Sequence, residues 1–197
     1  AVEDRYFDTT REALRRHGFG ARLRRVGDRY LVTVKSLSPD ELEPDVDAPT
    51  SASGTPMHDA HGAVHRRIEL EAPASGRLDP GTWPPSPARE LIDELRGAAR
   101  LRGLFTIRQV REVRDITGPD GSAQLSLDEV RVIAGRQVMG AFTELEVEST
   151  DGSLELLAGV AQALTTIGIL VPATGSKEAQ ARAMVNLDTV GRLGDGE

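Results

Sequence analysis

The 197-residue sequence has no cysteine, which excludes a disulfide framework, a thiolate metal site and a cysteine nucleophile. Aromatic residues are scarce, with one Trp, two Tyr and four Phe, so a core must be built mainly from Leu, Val, Ile and Ala. There is no uninterrupted run of about 18 apolar residues and no signal-like N-terminal segment, so no membrane span is expected. Positive charge is in the minority. The 24 Lys and Arg against 31 Asp and Glu give a formal net charge of -7, which argues against bulk attraction to nucleic acid or anionic membranes. Together these absences point to a cytoplasmic protein. Hydrophobic residues make up 39% of the chain, enough for a core at a length that buries roughly 70% of the extended surface.

Lysine is nearly missing as well: of the basic residues, Lys35 and Lys177 are the two lysines among arginines. A compact ammonium does not replace a planar guanidinium, so these two positions stand out.

Along the chain, Val2 to Tyr6 reads as a short extended segment. Thr9 and Glu12 have capping-box spacing before a short helix through Ala13, Leu14 and His17, ended by Gly18. Asp8 and Thr9 are explained by that helix start rather than as a reactive pair. Phe19 to Val26 and Arg29 to Lys35 form a hairpin through Gly27-Asp28. Residues 36–62 are polar and rich in Pro, Ser, Asp and Gly, the composition of a flexible insertion. A strand is expected over Ala63 to Ala72, and a helix from the Ser86-Pro87 pair through Arg100. Leu104 to Ile116, Ser122 to Ala134 and Val138 to Ser149 add β structure. Ser153 to Ile167 and a segment from Ser176 to Val185 read as helices, and 191–197 as a frayed tail. Short links between strands favour antiparallel pairing.

Residues two apart on a strand share a face. Arg22 and Arg24 lie together, as do Thr33 and Lys35, Glu69 and Glu71, Thr106 and Arg108, Ser126 and Asp128, and Glu144, Glu146 and Glu148. Taken singly, each strand fits a sheet with one face in water. Taken together, three aligned glutamates repel unless cations compensate, and several strands are ionic on one side. If the sheet curls into a barrel these faces point inward, where charges must be paired or hold ions. Arginine forks grip phosphoryl oxygens, and carboxylates hold Mg²⁺ or Mn²⁺.

The ordered series Tyr6-Phe7-Asp8-Thr9, Ala21-Arg22-Leu23-Arg24, Leu31-Val32-Thr33-Val34-Lys35 and Ile68-Glu69-Leu70-Glu71 continues through the later strands. There it reads Phe105-Thr106-Ile107-Arg108 with Arg111, Leu125-Ser126-Leu127-Asp128, Glu144-Leu145-Glu146-Val147-Glu148 and Gly175-Ser176-Lys177. In this series the chain resembles the CYTH domain, the triphosphate tunnel metalloenzyme fold. The resemblance implies a mainly β (α+β) domain over 1–190, an antiparallel eight-stranded tunnel-like barrel with helices outside. It also implies metal-dependent hydrolysis of triphosphate or short polyphosphate with Mg²⁺ or Mn²⁺. Arg22, Arg24, Lys35, Arg108 and Lys177 would hold phosphate. Asp128, Glu144 and Glu146 would hold metal and be catalytic. Glu69, Glu71, Arg111 and Glu148 would line the wall.

The family's first strand carries Glu-x-Glu-x-Lys. Here Glu3 and Asp4 are adjacent and no lysine follows, so that strand is expected to be missing or degenerate. A non-catalytic phosphate-binding module, an adenylate cyclase and an organic triphosphatase therefore stay open as alternatives. A C-terminal CHAD domain outside this chain and a homodimer are further expectations. His58, His61 and His65, with Asp59, have spacing that suits zinc, but their polar loop setting argues against a site.

Overall fold

The computed structural model describes residues 1–37, 68–151, 154–168, 170–171, 173 and 175–194. From residue 38 onward the expected insertion lies outside the described residues, and so does the His58, His61 and His65 set.

Among the described residues seven strands form one antiparallel sheet: β1 (Val2–Thr9), β2 (Phe19–Val26), β3 (Arg29–Ser36), β4 (Glu69–Ala74), β5 (Leu101–Gly118), β6 (Gly121–Ala134) and β7 (Gln137–Ser149). Their order across the sheet is β4-β3-β2-β1-β5-β6-β7. The expected eight-stranded barrel is therefore corrected to an open seven-stranded sheet, because among the described residues no ladder joins β4 to β7. Local chemistry suits these strands to be edges. β4 is short and carries Pro73, which has no backbone N–H to offer, and β7 presents acidic side chains. The segment expected to be merely extended before Tyr6 is instead the central strand, hydrogen-bonded to β2 on one side and β5 on the other.

Among the described residues four α-helices accompany the sheet: α1 (Ala13–Arg16), α2 (Pro87–Arg96), α3 (Leu154–Thr166) and α4 (Lys177–Gly194). The start of α1 is held by Asp8 and Thr9, as expected. The Asp8 carboxylate accepts from Leu14 N and Arg15 N at 3.0 Å, and Thr9 Oγ1 accepts from Ala13 N. Ser86 caps α2, its Oγ accepting from Arg89 N at 3.3 Å. This helix stops at Arg96 rather than Arg100, because Gly97 takes a positive φ of 55° that a side chain would resist.

Two apolar cores lie on opposite faces of the sheet. Behind β1 to β4, Phe7, Ala21, Leu23, Val32, Val34 and Ala72 pack against Leu14 of α1, Ala88 and Ile92 of α2, and Trp83. On the front, Tyr6, Phe105, Ile107, Val130 and Val132 pack against Ala181 of α4, with Met184 and Val185 beside them. A close approach fixes where α4 lies over β7: a Cβ added at Gly140 would come within 2.6 Å of Met184 Sδ. Among the described residues no helix is long and apolar enough to cross a membrane.

Ile92 is fully buried between α2 and the sheet. Ile92→Ala is expected to lose about 2–5 kcal/mol of stability through lost contact and a residual cavity. Val110→Ala, at a position 55% exposed, should change it by less than about 0.5 kcal/mol. Urea unfolding of both variants checks the contrast, and equal losses would contradict this account of the core.

Candidate functional site

The register of the ladders decides which side chains meet. Arg22 lies opposite Tyr6 and Thr33, Arg24 opposite Asp4 and Leu31, and Thr33 opposite Glu71. Directly paired residues share a face, so Asp4, Arg22, Arg24, Thr33, Lys35, Glu69 and Glu71 all stand on the front. Asp4 is fully buried. Arg24 grips it as a fork, Nε to Oδ1 at 2.7 Å and Nη2 to Oδ2 at 2.8 Å, while Arg22 Nη1 approaches at 3.4 Å. Glu69 lies 3.0 Å from Lys35 Nζ and 3.8 Å from Arg22 Nη2, and Thr33 Oγ1 donates to Glu71.

Across the central strand the same face turns acidic. Arg111, Asp128 and Glu144 are aligned on β5, β6 and β7, with Ser126 and Glu146 in the next row. Arg111 forks onto Asp128 at 2.7 and 2.6 Å and reaches Glu146 Oε2 at 2.6 Å. Lys177, the first residue of α4, inserts its ammonium among the carboxylates: Nζ is 2.5 Å from Asp128, 3.2 Å from Glu144 and 3.3 Å from Glu146. It also donates to Gln109 Oε1 at 3.3 Å.

Burial and neighbouring charge set the protonation states. At Asp4 burial alone would raise the pKa; the Arg24 hydrogen bond and the charges of Arg22, Arg24 and Lys177 outweigh it and hold the carboxyl below its usual value. Asp128 is lowered in the same way, burial being overcome by hydrogen bonds from Arg111 and Lys177. Glu146 is lowered because the charges of Lys177 and Arg111 outweigh its burial. Glu144 goes the other way: burial and the adjacent Glu146 outweigh Lys177 and push its carboxyl up. Glu144 is thus the member of the trio that protonates most readily.

One carboxylate oxygen from each of Asp128, Glu144 and Glu146 lies within 4.8 Å of the other two. These hard oxygen donors fit Mg²⁺ or Mn²⁺. Among the described residues three buried side-chain atoms lack a hydrogen-bond partner: Arg22 Nε, Gln109 Nε2 and Glu144 Oε2. All three are on the front face; Glu144 Oε2 has the Lys177 ammonium 3.2 Å away as an ion-pair partner, which leaves the donors of Arg22 and Gln109 as the atoms that a ligand acceptor suits.

The structure brings together Arg22, Arg24, Lys35, Glu69 and Glu71 at one end, and Asp128, Glu144, Glu146, Arg111 and Lys177 at the other. Glu148 shares the face at the rim, opposite Gln124, where it is exposed. Arg108 is not brought to the site. It is 65% exposed on the back of β5 and pairs with Glu3 at 2.8 Å. Strand parity carries the signal: Arg108 and Arg111 are three residues apart, and Arg111 faces Asp128. Sequence reasoning missed Asp4 and Gln109. Asp4 was legible once its strand was paired beside Arg24, whereas Gln109 gives no signal without the Lys177 contact.

A family model for the CYTH domain matches residues 1–181. Two solved structures share the fold. One, from Bacillus halodurans and described as a candidate adenylate cyclase, is 18% identical with a TM-score of 0.55, covering 89% of this chain and 79% of its own. The other, from Hippeastrum, is described as a candidate adenylyl cyclase with a dominant triphosphatase activity. It is 21% identical with a TM-score of 0.60, covering 92% of this chain and 81% of its own. At these identities the likeness shows the fold alone. Among curated proteins none matches.

Asp4→Asn leaves two arginines without their buried counter-ion and is expected to cost about 3–5 kcal/mol at neutral pH. Because the folded pKa of Asp4 lies below its ordinary 3.8, its stabilisation is complete above that value and fades as pH falls through the lower folded one. The variant's unfolding free energy should therefore fall less steeply below pH about 4. Parallel acid limbs in the two proteins would contradict the role given to Asp4.

Proposed function

We propose, because this chain belongs to the CYTH-domain family, that it binds triphosphate or short polyphosphate with Mg²⁺ or Mn²⁺ on the front of its sheet. The observation that supports this reading most directly is the acidic trio Asp128, Glu144 and Glu146, whose carboxylate oxygens lie within 4.8 Å of one another, on the same face as the unbonded buried donors of Arg22 and Gln109. An anionic ligand satisfies the donors and a cation the carboxylates, so one ligand with its metal answers both.

Charge balance supports the same assignment. Arg22, Arg24 and Lys35 stand with three anionic side chains, Asp4, Glu69 and the Thr33-bonded Glu71, so this half is balanced. Asp128, Glu144 and Glu146 are met by Lys177 and Arg111, leaving one surplus negative charge. A divalent cation completes the second group. The arginines suit non-bridging oxygens because their planar forks match phosphate geometry. Arg111 keeps Asp128 ionised and oriented, as a metal ligand must be.

A bound divalent cation would neutralise phosphoryl charge and lower the pKa of a coordinated water. Turnover at such a site relies on positioning and on charge stabilisation around the transferred group. A second reading, nucleotide cyclisation, is favoured by the description of both solved relatives as candidate cyclases, whereas the dominant triphosphatase activity in the description of the Hippeastrum protein favours hydrolysis.

The product separates these readings. Phosphate released from tripolyphosphate marks anhydride hydrolysis, cyclic AMP from ATP marks a cyclase, and calorimetric binding without either product marks a binding module. Lys35→Met should weaken tripolyphosphate binding about 3- to 10-fold, for one exposed charge-assisted contact. Glu146→Gln should keep the fold and reduce metal-dependent turnover more than about tenfold, since it removes a ligand charge. Full binding and turnover in both variants would refute the assignment.

A further inference from the structure

The position of Lys177 has a consequence for how the acid cluster acquires a metal. Its ammonium lies within 3.3 Å of all three carboxylates and is itself 8% exposed. The carboxylate oxygens are mutually within 4.8 Å, so a cation that ligates them takes much the same volume as Nζ. A hard divalent ion sits about 2.0–2.2 Å from its oxygen ligands, closer than the ammonium. Two cations a few ångströms apart in a poorly solvated site repel strongly. Joint occupation is excluded on both size and charge.

We infer that Lys177 is the resident counter-ion of the acid cluster, so that a divalent cation loads only by displacing its ammonium, which is then free to meet a phosphate oxygen. This inference rests on the proposed metal reading of Asp128, Glu144 and Glu146.

Displacement does not require α4 to undock. The helix is anchored independently by Ala181 in the front core and by Arg182 to Glu12 at 3.2 Å. A lysine stem has four rotatable carbons and can swing from a fixed backbone. Gln109 Oε1, already 3.3 Å from Nζ, is a neutral acceptor outside the carboxylate trio on which the displaced ammonium can stay bonded. The lysine therefore gives up the carboxylates to the metal, keeps the amide and gains a phosphate oxygen. The metal-free fold keeps its carboxylates neutralised, and the metal site is weaker than three carboxylates alone would make it.

Isothermal calorimetry of Mn²⁺ binding to the full chain, without phosphate, tests this. K177M should bind Mn²⁺ at least about tenfold tighter than the parent, since no ion pair is broken and no ammonium is left nearby. K177R, which retains a cation at the position, should stay close to the parent. Where K177M cannot be isolated folded, K177Q replaces it, neutral and of similar reach. Equal or weaker Mn²⁺ binding in the neutral variant, with measurable binding by the parent, overturns the inference and leaves the metal site standing. Absence of Mn²⁺ binding from both proteins overturns the metal reading together with it.

Discussion

A carboxylate with no exposed surface stays ionised only when cations surround it, and Asp128 meets that condition through the Arg111 fork and the Lys177 ammonium. These contacts tie four elements together. Arg111 comes from β5, Asp128 from β6, the adjoining glutamates from β7, and Lys177 from the start of α4. Moving any one element strands a charge in a place that water reaches poorly. The site is therefore also a structural joint, and the register of β5 to β7 and the docking of α4 are fixed partly by electrostatics. Asp4 serves the other half in the same way, fastening β1 to two arginines of β2.

The two cores explain why these joints lie where they do. On the front face β5 and β6 carry Phe105, Ile107, Val130 and Val132 beneath α4. Further along the same two strands stand Arg111 and Asp128. These strands change character partway along their length, apolar beneath the helix and charged past the helix start. Lys177 stands at that boundary, which is why a residue opening a helix reaches into the cluster.

Period-two alternation made most of this face readable from sequence. It grouped Arg22 with Arg24, Glu144 with Glu146, and Ser126 with Asp128 as the ladders do, and the hairpin at Gly27-Asp28 was plain from its turn chemistry. Alternation alone does not say that Phe105 and Ile107 share a face with Asp4 and Asp128, because that depends on which strands become neighbours. It could not reveal that β1 is central, since a short strand between two partners has the composition of any extended segment. The closed eight-stranded barrel comes from the family resemblance rather than from the alternation. An open sheet neutralises its charges by internal pairing, with forks and an inserted lysine replacing a second wall. Arg108 shows the cost of choosing by residue type: parity with Arg111 sets it on the opposite side.

Pairing this complete raises the question of how such a face binds anything. Most of its charges already have partners, and a ligand must compete with them. Competition is cheapest where pairing is imperfect. The unbonded donors at Arg22 and Gln109 mark those places, as does the long 3.8 Å separation of Arg22 from Glu69. A ligand that carried only negative charge would gain at Arg22 and Gln109 but meet repulsion from the three carboxylates. A lone cation would gain at the carboxylates and be opposed by the arginines and lysines. A phosphate chain with its cation brings both signs in the order the face presents them. This makes the metal–phosphate pair, rather than either alone, the ligand that the charge pattern favours.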